Sequence, residues 1–250
     1  MSGKTLCFDN PPVPSGYEYT EGRWDNGFII RRITDKSELV WIPALSLEHD
    51  GALDAKNGNE PFGYRKYYDN CILAEKMDSG LEAQHESVQK YGGFYISLYS
   101  ISLSKSRKTQ SVKGAMPWTH INLRDAVKEA EHFECGGTTK SHLPYAAEVD
   151  TVFAWMLKLK EITRDDITKA LITRGSASAS REIHPSGANN MSRLSGLWDI
   201  LGNTDEWIHE SRDIALSRCT DCIYPETTYC YYRPYSCYAF SGFRVAIWIK

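Results

Sequence analysis

The chain has 250 residues, 42% hydrophobic and 12% aromatic, with a formal net charge of -3. That is one generous domain, or a domain with an added N-terminal layer, and enough apolar mass for a core. The charge gives no basic field, so nucleic acid is not the expected partner. No apolar run approaches the roughly 18–20 residues that span a bilayer.

The first residues, MSGKTLCFDNPPVP, lack the apolar stretch of a secretory signal. The expected location is therefore inside the cell, outside it by another route, or on a particle such as a virion. Seven cysteines cannot all pair within one chain.

Pro11, Pro12 and Pro14 predict an extended arm. Residues 17–33 alternate and turn at Asp25-Asn26-Gly27, which predicts a hairpin. SELVWIP, residues 37–43, reads as a buried strand stopped by proline. Residues 46–90 are polar, with Gly, Asn and Asp clusters, and read as an insertion with a short helix near 73–77.

The character changes at Tyr91, where Gly92-Gly93-Phe94-Tyr95-Ile96-Ser97-Leu98-Tyr99 opens a β-rich run. This divides the chain into an N-terminal β-rich layer with its insertion, 1–90, packed on a module spanning 91–250. In PWTHINLRDAVKEAEHF, residues 117–133, Asn122 is the expected N-cap, with Asp125 three residues on. Ala126, Val127, Ala130 and Phe133 then share one helical face. Cys135-Gly136-Gly137 is the expected stop.

A second helix is expected near Pro144, with Val149, Val152, Phe153, Met156 and Leu157 as its buried stripe. Thr163-Arg164-Asp165-Asp166 reads as the cap of a third, short helix, and residues 173–190 as a surface loop.

Residues 196–207, GLWDILGNTDEW, combine an apolar start, a Gly202-Asn203 turn, Glu206 and a closing Trp207. Asn and Gly tolerate positive φ, so the chain can fold back tightly here. Asn203 and Glu206 are candidate metal ligands: two oxygens facing one small volume suit a structural Ca²⁺, or a turn-locking hydrogen-bond network. The plainer reading is a tight turn with Trp207 in the core.

Residues 217–241, SRCTDCIYPETTYCYYRPYSCYAFS, hold six of the 15 tyrosines and four of the seven cysteines, with no Lys, Leu, Val, Gly or Met. The run is too polar for a core strand and too aromatic for a solvated loop. Tyrosine gives rigid contact area at low entropy cost with a hydroxyl for adaptable bonding, so binding loops collect it. The candidate ligand-binding residues are Arg218, Tyr224, Tyr229, Tyr231, Tyr232, Arg233, Tyr235 and Tyr238. The tyrosines supply stacking, and the arginines a fork-shaped charge for carboxylate or aromatic partners.

Five stretches in order resemble the markers of the formylglycine-generating-enzyme-like family. They are Gly93-Phe94-Tyr95-Ile96 with Tyr99, the run from Pro117 to Ala126, LPYAAEVD from Leu143, GLWDILGNTDEW, and the terminal Gly242-Phe243-Arg244-Val245-Ala246. The resemblance implies an α+β, C-type-lectin-type fold with two main helices and a twisted, mainly antiparallel sheet. It also implies that the N- and C-terminal strands lie close together. The N-terminal strands resemble prophage-borne members of the family.

Function does not follow from fold, since this family holds oxidases, iron enzymes and pure binders. The copper-dependent oxidases it resembles hold Cu(I) on a C-terminal cysteine pair, and thiolates suit that soft ion. Cys219, Cys222, Cys230 and Cys237 lie in the corresponding region, but Cys222 and Cys230 are more widely spaced and ALSRCTDC replaces the family's strand. The same four cysteines offer a zinc reading, or one local disulfide. The seven histidines form no HxH or HxxxH pair, and His120 and His132 read as structural.

Some lectin-fold members of this family are variable proteins of diversity-generating retroelements, in which adenines of Asn codons just before the terminal GFR strand are randomised. Every residue type in 217–241 except Glu226 is reachable from such a codon. The resemblance thus implies a non-enzymatic protein displaying a diversified face to a protein or glycan receptor on a cell surface. A phage-tail or cell-surface setting follows, no cofactor is required, and an oligomer is compatible. A copper-dependent oxidase acting on a peptide cysteine is the rival expectation, and a structural subunit of a particle the third.

Overall fold

The computed structural model describes residues 11–44, 79–134, 137–163, 182–188, 193–194, 196–200, 202–209, 216–218, 223–224, 227–228, 231–232 and 241–250. It is a mixed α+β fold. Strands β1 (Tyr17–Arg23) and β2 (Asn26–Arg32) form the expected hairpin. Gly22, at φ 90°, makes its close approach possible, since a Cβ there would sit 1.8 Å from the Gly27 carbonyl oxygen. Strand β3 (Glu38–Ile42) follows, matching the run stopped by Pro43.

Helix α1 (Ser79–Tyr91) comes next. Its sequence carries few apolar residues, and the side chains it buries include Gln84, Ser87 and Val88. Polar Gln84 and Ser87 among its buried side chains interrupt the apolar stripe that would mark it. The short helix expected at 73–77 lies outside the described residues.

Strand β4 (Phe94–Ser97) is buried throughout. A small hairpin of β5 (Ser102–Leu103) and β6 (Thr109–Gln110) precedes helix α2 (Leu123–Glu131). Asn122 caps α2 as expected, accepting from the Asp125 backbone N–H at 2.9 Å, and its amide donates to the Asp125 carboxylate at 2.8 Å. The helix ends at Glu131, with His132 as its C-cap, before the glycines expected to stop it.

Strand β7 (Thr139–His142) leads into helix α3 (Ala146–Lys158). Here Tyr145 is the N-cap, and the Glu148 carboxylate reaches back to its backbone N–H at 2.9 Å. Val152, Phe153 and Met156 of the expected stripe are buried, with Trp155 added to them, and Val149 and Leu157 are half-buried against the same cluster. The third helix expected after Thr163 lies outside the described residues, as does most of the expected loop at 173–190.

Short strands β8 (Arg193–Leu194) and β9 (Leu197–Trp198) pair with each other. They are followed by β10 (Asp205–Ile208), β11 (Leu216–Arg218), β12 (Ile223–Tyr224), β13 (Thr227–Thr228), β14 (Tyr231–Tyr232), β15 (Ser241–Phe243) and β16 (Ala246–Ile249).

The main sheet has six strands in the order β1-β2-β3-β4-β16-β7, every neighbouring pair antiparallel. Successive residues of a strand point to opposite faces, and here both faces are covered. Ile29, Val40, Phe94, Ile96 and Ala246 pack with the α3 residues Val152, Trp155 and Met156 and with Trp198. Their sequence neighbours Ile30, Leu39, Trp41, Tyr95 and Ile247 pack with Ala126, Ala130 and Phe133 of the α2 region and with Trp207 and Phe243.

Two buried faces explain why LVWI and AIWI read as unbroken apolar runs. The change of character at residue 91 does not divide this sheet. Leu39–Ile42 of the N-terminal part pairs residue for residue with Ser97–Phe94, so β1, β2 and β3 extend the module's sheet edge to edge.

Candidate functional site

The tyrosine-rich segment enters through β11 and leaves through β15, and both strands pair with β10. Leu216, Ser217 and Arg218 lie opposite Ile208, Trp207 and Glu206 in an antiparallel register. Ser241, Gly242 and Phe243 lie beside Asp205, Glu206 and Trp207 in a parallel one. The segment also pairs with its own entry strand, Tyr231 opposite Ser217 and Tyr232 opposite Leu216. The four-stranded sheet therefore runs β14-β11-β10-β15, and β12–β13 forms a separate two-stranded turn-back. Neighbouring strands lie about 4.8 Å apart, so the ends of the segment are held roughly 10 Å from each other across β10.

Attachments to other parts of the fold hold β10 along its length. Before its first residue, Asn203 sits at φ 77° in the turn expected from Gly202-Asn203. Its side-chain oxygen accepts from the His184 N–H and its amide donates to the His184 carbonyl, each at 2.9 Å. In the strand, the Glu206 carboxylate accepts from the Ser100 hydroxyl at 2.9 Å and from Arg244 Nε at 2.9 and 3.0 Å. The Trp207 indole N–H donates to the Ile121 carbonyl at 2.9 Å. At the far end the His209 N–H donates to the Pro144 carbonyl at 2.9 Å, and its ring stacks on Tyr145 with centroids 5.1 Å apart.

Arg244 is the centre of this arrangement. It is 1% exposed and stands between β15 and β16, where the chain passes from the four-stranded sheet to the main one. Besides Glu206, its Nη1 donates to the Ser97 and Leu98 carbonyls at 3.0 and 2.9 Å, and its Nη2 donates to the Trp198 carbonyl. Burial raises the Glu206 pKa above the ordinary carboxylate value, and the Arg244 charge and Ser100 hydroxyl offset part of that rise.

Asn203 and Glu206, the candidate cation ligands, are each committed to a different partner. Among the described residues no group of three or more His, Cys, Asp or Glu side chains is arranged to hold a metal. Trp207 is 1% exposed and packs in the core, as the plainer reading of this stretch has it. Of the ligand-binding candidates, Arg218, Tyr224, Tyr231 and Tyr232 fall on strands of the segment. Tyr229, Arg233, Tyr235 and Tyr238 lie outside the described residues, as do Cys219, Cys222, Cys230 and Cys237.

Two polar centres went unread in the sequence. Arg244 was visible only as part of a motif, although a lone charge inside GFRVAIWI is itself a sign of a buried, fully bonded group. The second centre is Glu148, 0% exposed, which accepts from Gln84 Nε2 and bonds His142 Nε2, both at 2.8 Å. It ties α1 to β7 and α3. Its signal, an acid three residues into a helix, is equally that of an ordinary capping residue.

Among the described residues no helix is long and apolar enough to cross a membrane. Comparison with protein-family models, curated proteins and solved structures finds no match to this chain.

Proposed function

We propose that this is a binding protein, without bond-making chemistry of its own, that presents residues 217–241 to a protein or glycan receptor on a cell surface. The supporting observation is that both ends of the tyrosine-rich segment are paired to one strand, β10. The side chains that fasten β10 find partners outside the segment, at His184, Ser100, Arg244 and Ile121. A segment whose two ends are held on one strand of the frame can vary in sequence while its base stays in place, the division of labour of a binding loop on a rigid scaffold.

In this reading the frame is C-type-lectin-like, a likeness carried by the five ordered stretches named above. The segment is a diversified face, and a phage or prophage receptor-binding role accounts for both. A structural Ca²⁺ remains compatible with the reading but is not required by it.

The test is binding of the fluorescently labelled full chain to a panel of intact bacterial cells. A variant with Tyr229, Tyr231 and Tyr232 changed to Ser serves as control. Saturable binding that the variant loses supports the proposal; equal binding by both proteins sinks it. The rival oxidase reading is separated by titration with Cu(I), where tight binding lost on Cys230→Ser favours copper chemistry.

A further inference from the structure

We infer that Arg244 is a positioning residue: it is the joint that fixes the segment-bearing sheet on the main sheet. The chain crosses between the two sheets in two residues, Arg244 and Val245. Val245 is bound to the main sheet from both sides of its backbone. Its N–H donates to the Ser97 hydroxyl at 3.1 Å, and its carbonyl accepts from the Ser97 N–H at 2.9 Å.

Arg244 then reaches three places. Nε meets Glu206 on β10, Nη1 meets the Ser97 and Leu98 carbonyls at the end of β4, and Nη2 meets the Trp198 carbonyl on β9. Ser100 closes the figure, bonding the same carboxylate from the chain just past β4. A guanidinium has five N–H groups in a fixed plane, and four are used here in three directions. Lysine's three donors radiate from one nitrogen and cannot span these acceptors, so the fork rather than the charge is what the joint needs.

Glu206 lies in register with Arg218 at the entry of the segment and with Gly242 at its exit. The joint therefore acts on the one strand that carries both ends. For its functional meaning this rests on the display reading above, but its own test needs no ligand.

That test is amide hydrogen exchange, read by mass spectrometry on peptides covering β10 and β15 against peptides covering β3 and β4. In Arg244→Lys, exchange in β10 and β15 is expected to rise about 10- to 100-fold, the size expected for losing charged hydrogen bonds, with β3 and β4 changed less than about threefold. Ser100→Ala, a milder change, is expected to give the same pattern at smaller size, and it carries the test if Arg244→Lys fails to fold. A uniform rise across all four strands would show that Arg244 serves general stability only. No rise in β10 and β15 would show that it positions nothing; either result overturns the inference. Loss of cell binding with an unchanged exchange pattern belongs to the display proposal and leaves the joint standing or falling on exchange alone.

Discussion

The two larger sheets of this protein differ in the sequence they are built from. In the six-stranded sheet nearly every residue of β3, β4 and β16 is buried, and each face meets its own hydrophobic cluster. Little there can change without leaving a void or a clash, because interiors are close-packed. In the four-stranded sheet β10 and β15 are tied to that core, through Trp207, Phe243 and the Glu206–Arg244 pair. The other two strands, β11 and β14, belong to a run of tyrosine, cysteine and small polar residues. On the display reading proposed above, a fixed frame and a changeable face can share one chain if the seam between them is made of residues that belong to the frame.

Breaking that seam is expected to have the largest effect. Arg244→Ala leaves the Glu206 carboxylate without its cation and opens a cavity, at a cost of about 3–5 kcal/mol. Urea unfolding reads this directly; a loss below about 1 kcal/mol would mean the two sheets are held by something else. Next is the frame's own hairpin. Gly22→Ala places a side chain at φ 90° against the Gly27 carbonyl, and the backbone strain alone costs about 1–3 kcal/mol. A melting temperature equal to that of the parent protein would show that the hairpin contributes nothing to the frame.

A smaller, pH-dependent effect is expected at the buried Arg32. Burial pushes the Asp35 carboxyl upward, but the hydrogen bonds from Arg32 and Ser37 win and hold its pKa below the ordinary 3.8. The folded state thus binds this proton less readily than the unfolded chain. Its stabilisation is present above 3.8 and disappears as the pH falls through the lowered value. Asp35→Asn is therefore expected to lower stability near neutral pH and to flatten the acid limb of the stability curve. An unchanged acid limb would assign the acid sensitivity to other carboxylates.

The smallest effect is expected in the segment. If the display reading holds, Tyr231→Ser and Tyr232→Ser should each change unfolding stability by no more than about 0.5 kcal/mol, the range of substitutions outside a core. A loss of several kcal/mol would place those rings in the core and remove the contrast between the two sheets.

Much of the frame was legible in local chemistry. The hairpin at Asp25-Asn26-Gly27, the Asn122 cap, the α3 stripe and the strand ending at Pro43 each announce themselves through turn residues, cap residues or periodicity. Helix α1 did not, because it buries Gln84 and Ser87, whose value depends on partners far away in the chain. The change of composition at residue 91 leaves the pairing across it unread for a related reason: strand pairing ignores composition and joins β3 to β4 there.

By itself, then, the sequence determined the α+β class, the strands β1 to β4 and the terminal one, two of the helices, and the separation of an apolar frame from a tyrosine-rich run. Such properties follow from backbone preference and from the period at which apolar residues recur, and both are local. Tertiary structure alone decided that the run's two ends share β10, that Asn203 and Glu206 bond to His184 and Arg244, and that one arginine joins two sheets. Those facts depend on groups up to 147 residues apart, as between Arg244 and the Ser97 carbonyl. A buried donor takes whatever acceptor the fold brings to it, so the choice of partner is made only when the chain has closed.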